Sequence, residues 1–192
     1  MGTLLIAGFC VLVNSIFGFS ELGLSKVALE KGEWFRILSF MFVHQNIEHL
    51  VINLASLILA GAVANEIGLQ NATFLVIFFL VGISSAFLVL PFTSSVLVGA
   101  STGIYGIFGA ITVKLGDYMS APKVFSLFAL AIAGSSLIEN FWFQSSEMVL
   151  RLSAHLVALS FGAGFLVAIR RHRRWNRHVV YAAPKLVTKI LK

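Results

Sequence analysis

Charge is what this sequence has least of. Only 11% of its 192 residues are Asp, Glu, Lys or Arg, 58% are hydrophobic, and the mean hydropathy is +0.94. A soluble domain averages about 25% charged residues. The shortage excludes an ordinary water-soluble fold and indicates a polytopic membrane protein of one compact domain. Cysteine is nearly absent as well. Cys10 stands alone in the first apolar segment, so it has no internal disulfide partner and reads as a small packing residue. The single aspartate, Asp117, excludes a membrane site built on two aspartates. The zinc patterns H-E-x-x-H and H-x-x-E-H are also missing. Their nearest approach, His44-Gln-Asn-Ile-Glu-His49, spaces the histidines by five. That spacing turns the second about 140° around a helix, off the face of the first. No basic n-region or A-x-A-like cleavage site marks the start of the chain, which reads as a retained helix. There is no tandem repeat, low-complexity tract or separate soluble domain.

What is present is a series of long apolar runs. A helix needs about 20 such residues to cross a bilayer. Six segments qualify to within a few residues: 3–19, 47–64, 72–90 (stopped by Pro91), 98–115, 122–138 and 149–169. The sequence therefore predicts an all-α bundle of six transmembrane helices over residues 1–169, followed by a basic tail over 170–192. The longest connection, 20–46, carries Glu21, Lys26, Glu30, Lys31, Glu33, Trp34 and Arg36. Within it Leu22, Leu24, Val27, Ala28 and Leu29 predict a short amphipathic helix at the membrane interface. Trp34 and Arg36 suit the membrane–water boundary.

The positive charge is unevenly placed. Eight of the fourteen Lys and Arg residues (Arg170, Arg171, Arg173, Arg174, Arg177, Lys185, Lys189 and Lys192) fall in the last 23 positions, with no acid among them. A basic run directly behind an apolar helix reads as a cytoplasmic anchor beside anionic lipid head groups, not as a nucleic-acid patch. With six crossings the N-terminus is then cytoplasmic too, and the loop 20–46 is external. Helices two, four and six run from outside to inside. Lys114 and Lys123 agree with this orientation, and Arg151 opposes it mildly.

Polar side chains inside membrane helices are costly and point to function. Ser101 sits among glycines near the start of the fourth helix, His49 and Asn53 near the start of the second, and His155 near the start of the sixth. At the helical rise per residue these four lie about 3–9 Å below the expected helix starts, all in the outer third. His49 and Asn53 share a face, as do Ser101 and Tyr105, because each pair is separated by four. Gly99, Gly103, Gly106, Gly109 and Ala110 on helix four, with Ala154, Ala158 and Gly162 on helix six, permit close approach of the two helices. Taken singly, a membrane serine ordinarily bonds its own backbone, and an asparagine bonds a neighbouring helix. Together, a serine, a histidine base and hydrogen-bond donors at one depth suit nucleophilic hydrolysis. No acid stands where a third triad member belongs: Asp117 is at the far end of helix four, and Glu48 is on neither the serine nor the histidine helix. A Ser–His dyad is the reading.

At these residues the chain resembles the rhomboid family of intramembrane serine proteases. The family's G-x-S-G-type serine motif is similar to Gly99-Ala-Ser101-Thr-Gly103. Its second-helix pattern, a histidine and then H-x-x-x-N, reads here as His44 and His49-Leu-Val-Ile-Asn53. Its sixth-helix pattern A-H-x-x-G/A-x-x-x-G reads Ala154-His155-Leu-Val-Ala158-Leu-Ser-Phe-Gly162, and Trp34-Phe-Arg36 approximates the first-loop tryptophan and arginine. The resemblance covers roughly residues 34–169. It implies Ser101 as nucleophile, His155 as general base, and His49, Asn53 and the Ser101 amide as oxyanion hole. Tyr105 would pack beside His155, with Gly99 and Gly103 supporting. It implies substrates that are membrane proteins with a transmembrane helix, cut near the outer face, with no metal or nucleotide cofactor. Thr102 departs from the glycine usual after the serine, Gly103 stands where alanine is common, and Phe35 separates Trp34 from Arg36. The added Thr102 side chain bears on the oxyanion pocket and on substrate preference.

Two other classes compete. A non-catalytic rhomboid-like protein would bind membrane clients, but such relatives typically lack the serine or the histidine. A small transporter would show charged or broken helices at midplane, which this sequence does not. The minimal six-helix layout points to a prokaryotic plasma membrane.

Overall fold

The computed structural model describes the backbone of residues 2–117, 123–124, 126–128 and 148–190, and the side chains of these residues as far as His172 apart from Met148. The described residues are almost all helical. Among the described residues, three helices are long and apolar enough to cross a membrane: Ile47–Glu66, Asn71–Phe92 and Val149–His172. The first helix, α1 (Gly2–Ile16), is apolar but shorter. It ends ahead of the expected residue 19 because Gly18 is already extended and begins the next turn. Leu4, Leu5, Ile47, Ile52 and Leu59 are all more than half exposed. In water that would be a liability; facing lipid it needs no partner.

The connection after α1 folds into three short helices: α2 (Phe19–Leu22), α3 (Lys26–Glu30) and α4 (Arg36–Ser39). The single interfacial helix expected here is thus broken at Gly23–Ser25. Leu24 leaves the helical path to pair with Leu97 through two backbone hydrogen bonds of 2.9 and 2.8 Å. Ser25 then caps α3 by accepting from the Ala28 N–H. The connection is laced together by Arg36, which donates to the Ser20 and Gly23 carbonyls at 2.7 and 2.9 Å and pairs with Glu33 at 2.6 Å.

Two long helices follow, α5 (Ile47–Glu66), capped by the Asn46 side chain, and α6 (Asn71–Val89), which ends in a tight turn over Leu90–Phe92 around Pro91. Next comes α7 (Ser101–Leu115), and the last is α8 (Met148–Ile190). The helix expected over 122–138 lies largely outside the described residues. The part described is helical and places Phe128 on Phe108, ring centroids 4.8 Å apart.

α7 is the centre of the bundle. Ile104, Ile107, Ala110, Ile111 and Thr112 are all at most 2% exposed, the pattern of a helix enclosed on every side. It starts at Ser101, not at residue 98, because Gly99 has φ +105° and cannot continue a helix. At 15 residues it is about 22 Å long, short of the hydrocarbon thickness of about 30 Å. α6 packs on one side of it, where Gly82 and Gly103 leave room for the Met41 side chain. α8 packs on another side, and there the contact is backbone on backbone. A side chain at Gly109 would run into the Leu159 carbonyl, and one at Gly162 into the Gly106 carbonyl.

Candidate active site

The glycine contact sets the register of α7 against α8. Gly106 meets Gly162, Gly109 meets the Leu159 and Ala163 backbone, and Val113 and Asp117 meet Arg170. The two helices therefore run in the same direction, in step. One end of that register brings Ser101 and His155 together, with His155 Nε2 2.9 Å from Ser101 Oγ. Other serines of α8 behave differently: Ser153 and Ser160 bond the carbonyls four residues back on their own helix. Ser101 has no preceding helical turn to bond to, because the helix begins with it. Its hydroxyl is left for the histidine.

The Tyr105 ring lies 4.4 Å from the His155 imidazole, centroid to centroid, tilted by 43°. It sits one turn below the serine, as the spacing of four requires, and limits how far the imidazole can swing. Among the described residues His155 has no carboxylate partner.

A second group of side chains reaches the same place from α5. Asn46 accepts from the His49 N–H at 2.8 Å, which fixes the first turn of α5 and aims His49 at the start of α7. A Cβ at Gly99 would come within 3.0 Å of His49 Nε2 and 2.9 Å of Cε1, so only glycine lets the imidazole approach. Gly99 in turn is anchored by its N–H to the Phe40 carbonyl at 2.9 Å. No side chain caps α7, and the first N–H groups of a helix have no carbonyl within it to bond. The Ser101 amide is the first of these donors. Asn53 is buried one turn below His49; its amide donates to the His49 carbonyl at 2.8 Å, while Oδ1 has no hydrogen-bond partner among the described residues. The structure thus brings Ser101, His155, Tyr105, His49 and Gly99 into one cluster. Gly103 serves α7–α6 packing against Phe78, and Asn53 engages its own helix.

Thr102 is 8% exposed and its hydroxyl has no hydrogen-bond partner among the described residues. Behind His49 lies a residue that sequence reasoning passed over. Asn14 of α1 accepts from the His44 N–H at 2.9 Å, and its amide nitrogen lies 2.6 Å from the Phe42 carbonyl and 3.2 Å from His44 Nδ1. The signal available was a lone amide in an otherwise apolar helix. His44, outside the helices, meets His49 edge to face at 5.1 Å. Burial, and then the neighbouring His49 imidazole, push its pKa down to about 3, against the opposing effect of the Phe42 backbone.

The family profile described as Rhomboid domain matches residues 31–172. The chain belongs to the rhomboid family. The matched span contains α4 to α7, the loop that precedes Ser101 and the apolar part of α8. With this membership the apolar helices are those of a polytopic helical membrane protein. No curated protein matches the chain.

Proposed function

We propose that this rhomboid protein is an intramembrane serine endopeptidase that cuts transmembrane segments of membrane proteins near the outer face. The observation that carries the reading is the 2.9 Å contact between Ser101 Oγ and His155 Nε2 across two helices. It lies within the hydrogen-bond reach of a nucleophile and its base. In the reaction, His155 Nε2 takes the hydroxyl proton as Oγ attacks the scissile carbonyl. The negative charge on the tetrahedral oxygen meets the Ser101 N–H, the His49 ring and the amide hydrogen of Asn53 not used on the His49 carbonyl. His155 then gives its proton to the leaving amine, and water releases the acyl group by the same route in reverse. The chemistry draws on no metal or cofactor.

Six crossings with both termini cytoplasmic put the dyad near the external face of a prokaryotic plasma membrane. The basic residues from Arg170 onward sit beside anionic lipid head groups.

The test is labelling of detergent-purified protein with a fluorophosphonate probe, wild type beside Ser101→Ala and His155→Ala, followed by cleavage of a transmembrane peptide. Labelling and cleavage in the wild type and in neither variant are expected. A folded wild type that neither labels nor cleaves would favour a client-binding rhomboid, and turnover retained in Ser101→Ala would remove the serine from its role.

A further inference from the structure

His49 is held from two sides. Its backbone is fixed by Asn46, and its ring is flanked by His44, edge to face with centroids 5.1 Å apart and planes at 77°. What fixes His44 is Asn14, on a different helix. The Asn14 side chain makes a closed set of contacts. Oδ1 accepts from the His44 backbone N–H at 2.9 Å. Nδ2 donates to the Phe42 and Cys10 carbonyls at 2.6 and 2.8 Å. The two carbonyls settle which end of the amide is nitrogen, because an oxygen there would face two acceptors. That same nitrogen is 3.2 Å from His44 Nδ1. An Nδ1–H would point its proton at an NH2 group, so Nδ1 is the bare nitrogen and the proton sits on Nε2. His44 Nε2 is buried and has no hydrogen-bond partner among the described residues. Both amide hydrogens already face carbonyls, so Nδ1 shares one of them, and the direct tie to Asn14 is the His44 backbone N–H; the far edge of the ring is left to pack. His44 Cδ2 and His49 Nε2 both crowd the point where a Gly99 side chain would begin, at 3.7 and 3.0 Å. Gly99 stands two residues before Ser101.

We infer that Asn14 is a positioning residue for the oxyanion imidazole: through His44 it fixes the plane in which His49 faces the start of α7. The inference rests on the proposed protease reading in assigning His49 to the oxyanion. Its geometric content, that Asn14 orders the His49 ring, stands apart from it. A donor that meets charge only as it develops raises kcat without tightening substrate binding. Asn14 therefore acts on kcat through a group it does not touch.

A double-mutant cycle tests this, measuring cleavage of a transmembrane peptide by full-length protein in detergent. Asn14→Ala is expected to lower kcat by about tenfold, less than the about 10²–10³ lost with an oxyanion donor itself, while KM stays within about twofold. In a His49→Ala background the same substitution is expected to change kcat by less than about twofold, because the group it serves is gone. An equal loss in both backgrounds would overturn the inference, since generic loosening of α1 does not depend on His49. A fall in KM-limited binding with kcat unchanged would overturn it as well. Imidazole nitrogen NMR of selectively labelled protein gives a readout independent of catalysis. His44 is expected to show the Nε2–H tautomer in wild type, and His49 one sharp set of signals that shifts or broadens in Asn14→Ala. Unchanged His49 signals would sink the inference even in an active enzyme. A wild type that neither cleaves nor labels, yet whose His49 signals respond to Asn14→Ala, would remove the protease reading and leave the positioning role standing.

Discussion

Arg170 and Asp117 close the end of the helix pair opposite to the Ser101–His155 contact. The guanidinium makes two parallel bonds to the carboxylate, at 3.1 and 2.9 Å, and a third to the Val113 carbonyl at 3.2 Å. Ser101 and Asp117 are 16 residues apart on one side, and His155 and Arg170 are 15 apart on the other. The pair thus matches the dyad in register, with the glycine contact between them.

Because the Asp117 side chain is 52% exposed and that of Arg170 30%, the ion pair adds little stability; exposed pairs contribute about 0–1 kcal/mol. Asp117→Asn is expected to lower the thermal midpoint in detergent only slightly and to leave peptide cleavage within about threefold. A loss of cleavage as complete as in Ser101→Ala would mean that the far clamp, not the glycine contact, sets the dyad.

The glycine contact carries more. A methyl group at Gly162 would overlap the Gly106 carbonyl, and neither backbone can yield without moving a helix. Gly162→Ala is expected to cost about 1–3 kcal/mol, the range for overpacking, and to reduce fluorophosphonate labelling by separating Ser101 from His155. Gly164, two residues on, has nothing within 4 Å of the point where a side chain would begin. Gly164→Ala is the matched control, and its labelling and thermal midpoint should equal or exceed the wild type. Equal behaviour of the two variants would contradict the packing argument.

Thr102 buries a hydroxyl without a partner among the described residues. Valine has the same shape without that group, and removing an unpaired buried polar atom is neutral or stabilising. Thr102→Val should hold or raise the thermal midpoint. Thr102→Gly should lower it, since helix propensity alone costs about 0.3–0.5 kcal/mol of stability and the packing of a buried side chain is lost besides. A clear drop for Thr102→Val would show that the hydroxyl has a bonding partner after all.

His44 links stability to acidity. Its pKa is about 3 in the folded protein against an ordinary 6.5. Below the ordinary value the unfolded chain takes up a proton that the folded chain refuses, so its contribution to stability is fully present above about pH 6.5 and is lost as pH falls toward 3. Thermal midpoints measured from pH 7 down to 4 should fall, and His44→Gln, which cannot titrate, should flatten the fall. An identical slope in both proteins would assign the acid sensitivity elsewhere.

Composition and spacing along the chain were enough to set the class of this protein. Scarce charge and long apolar runs put it in a membrane, since about 20 apolar residues in a row have few other uses. Motif spacing singled out Ser101, His49, Asn53 and His155, because separations of four define a helix face without any knowledge of its neighbours. The small residues of α7 and α8 were legible too, though not which of them would touch. Other features exist only in the packed bundle. The start of α7 at Ser101 depends on Gly99 adopting a positive φ, and that conformation is set by the Phe40 carbonyl from a distant loop. The break of the interfacial helix at Leu24 depends on a strand-like pairing with Leu97, which local propensity cannot register. Asn14 is, along the chain, a single amide in an apolar helix, and its place behind His44 emerges only once α1 is packed. Periodicity along one chain fixes which face a residue occupies; contacts between helices fix what that face meets, and those depend on residues 54 positions apart, as Ser101 and His155 are.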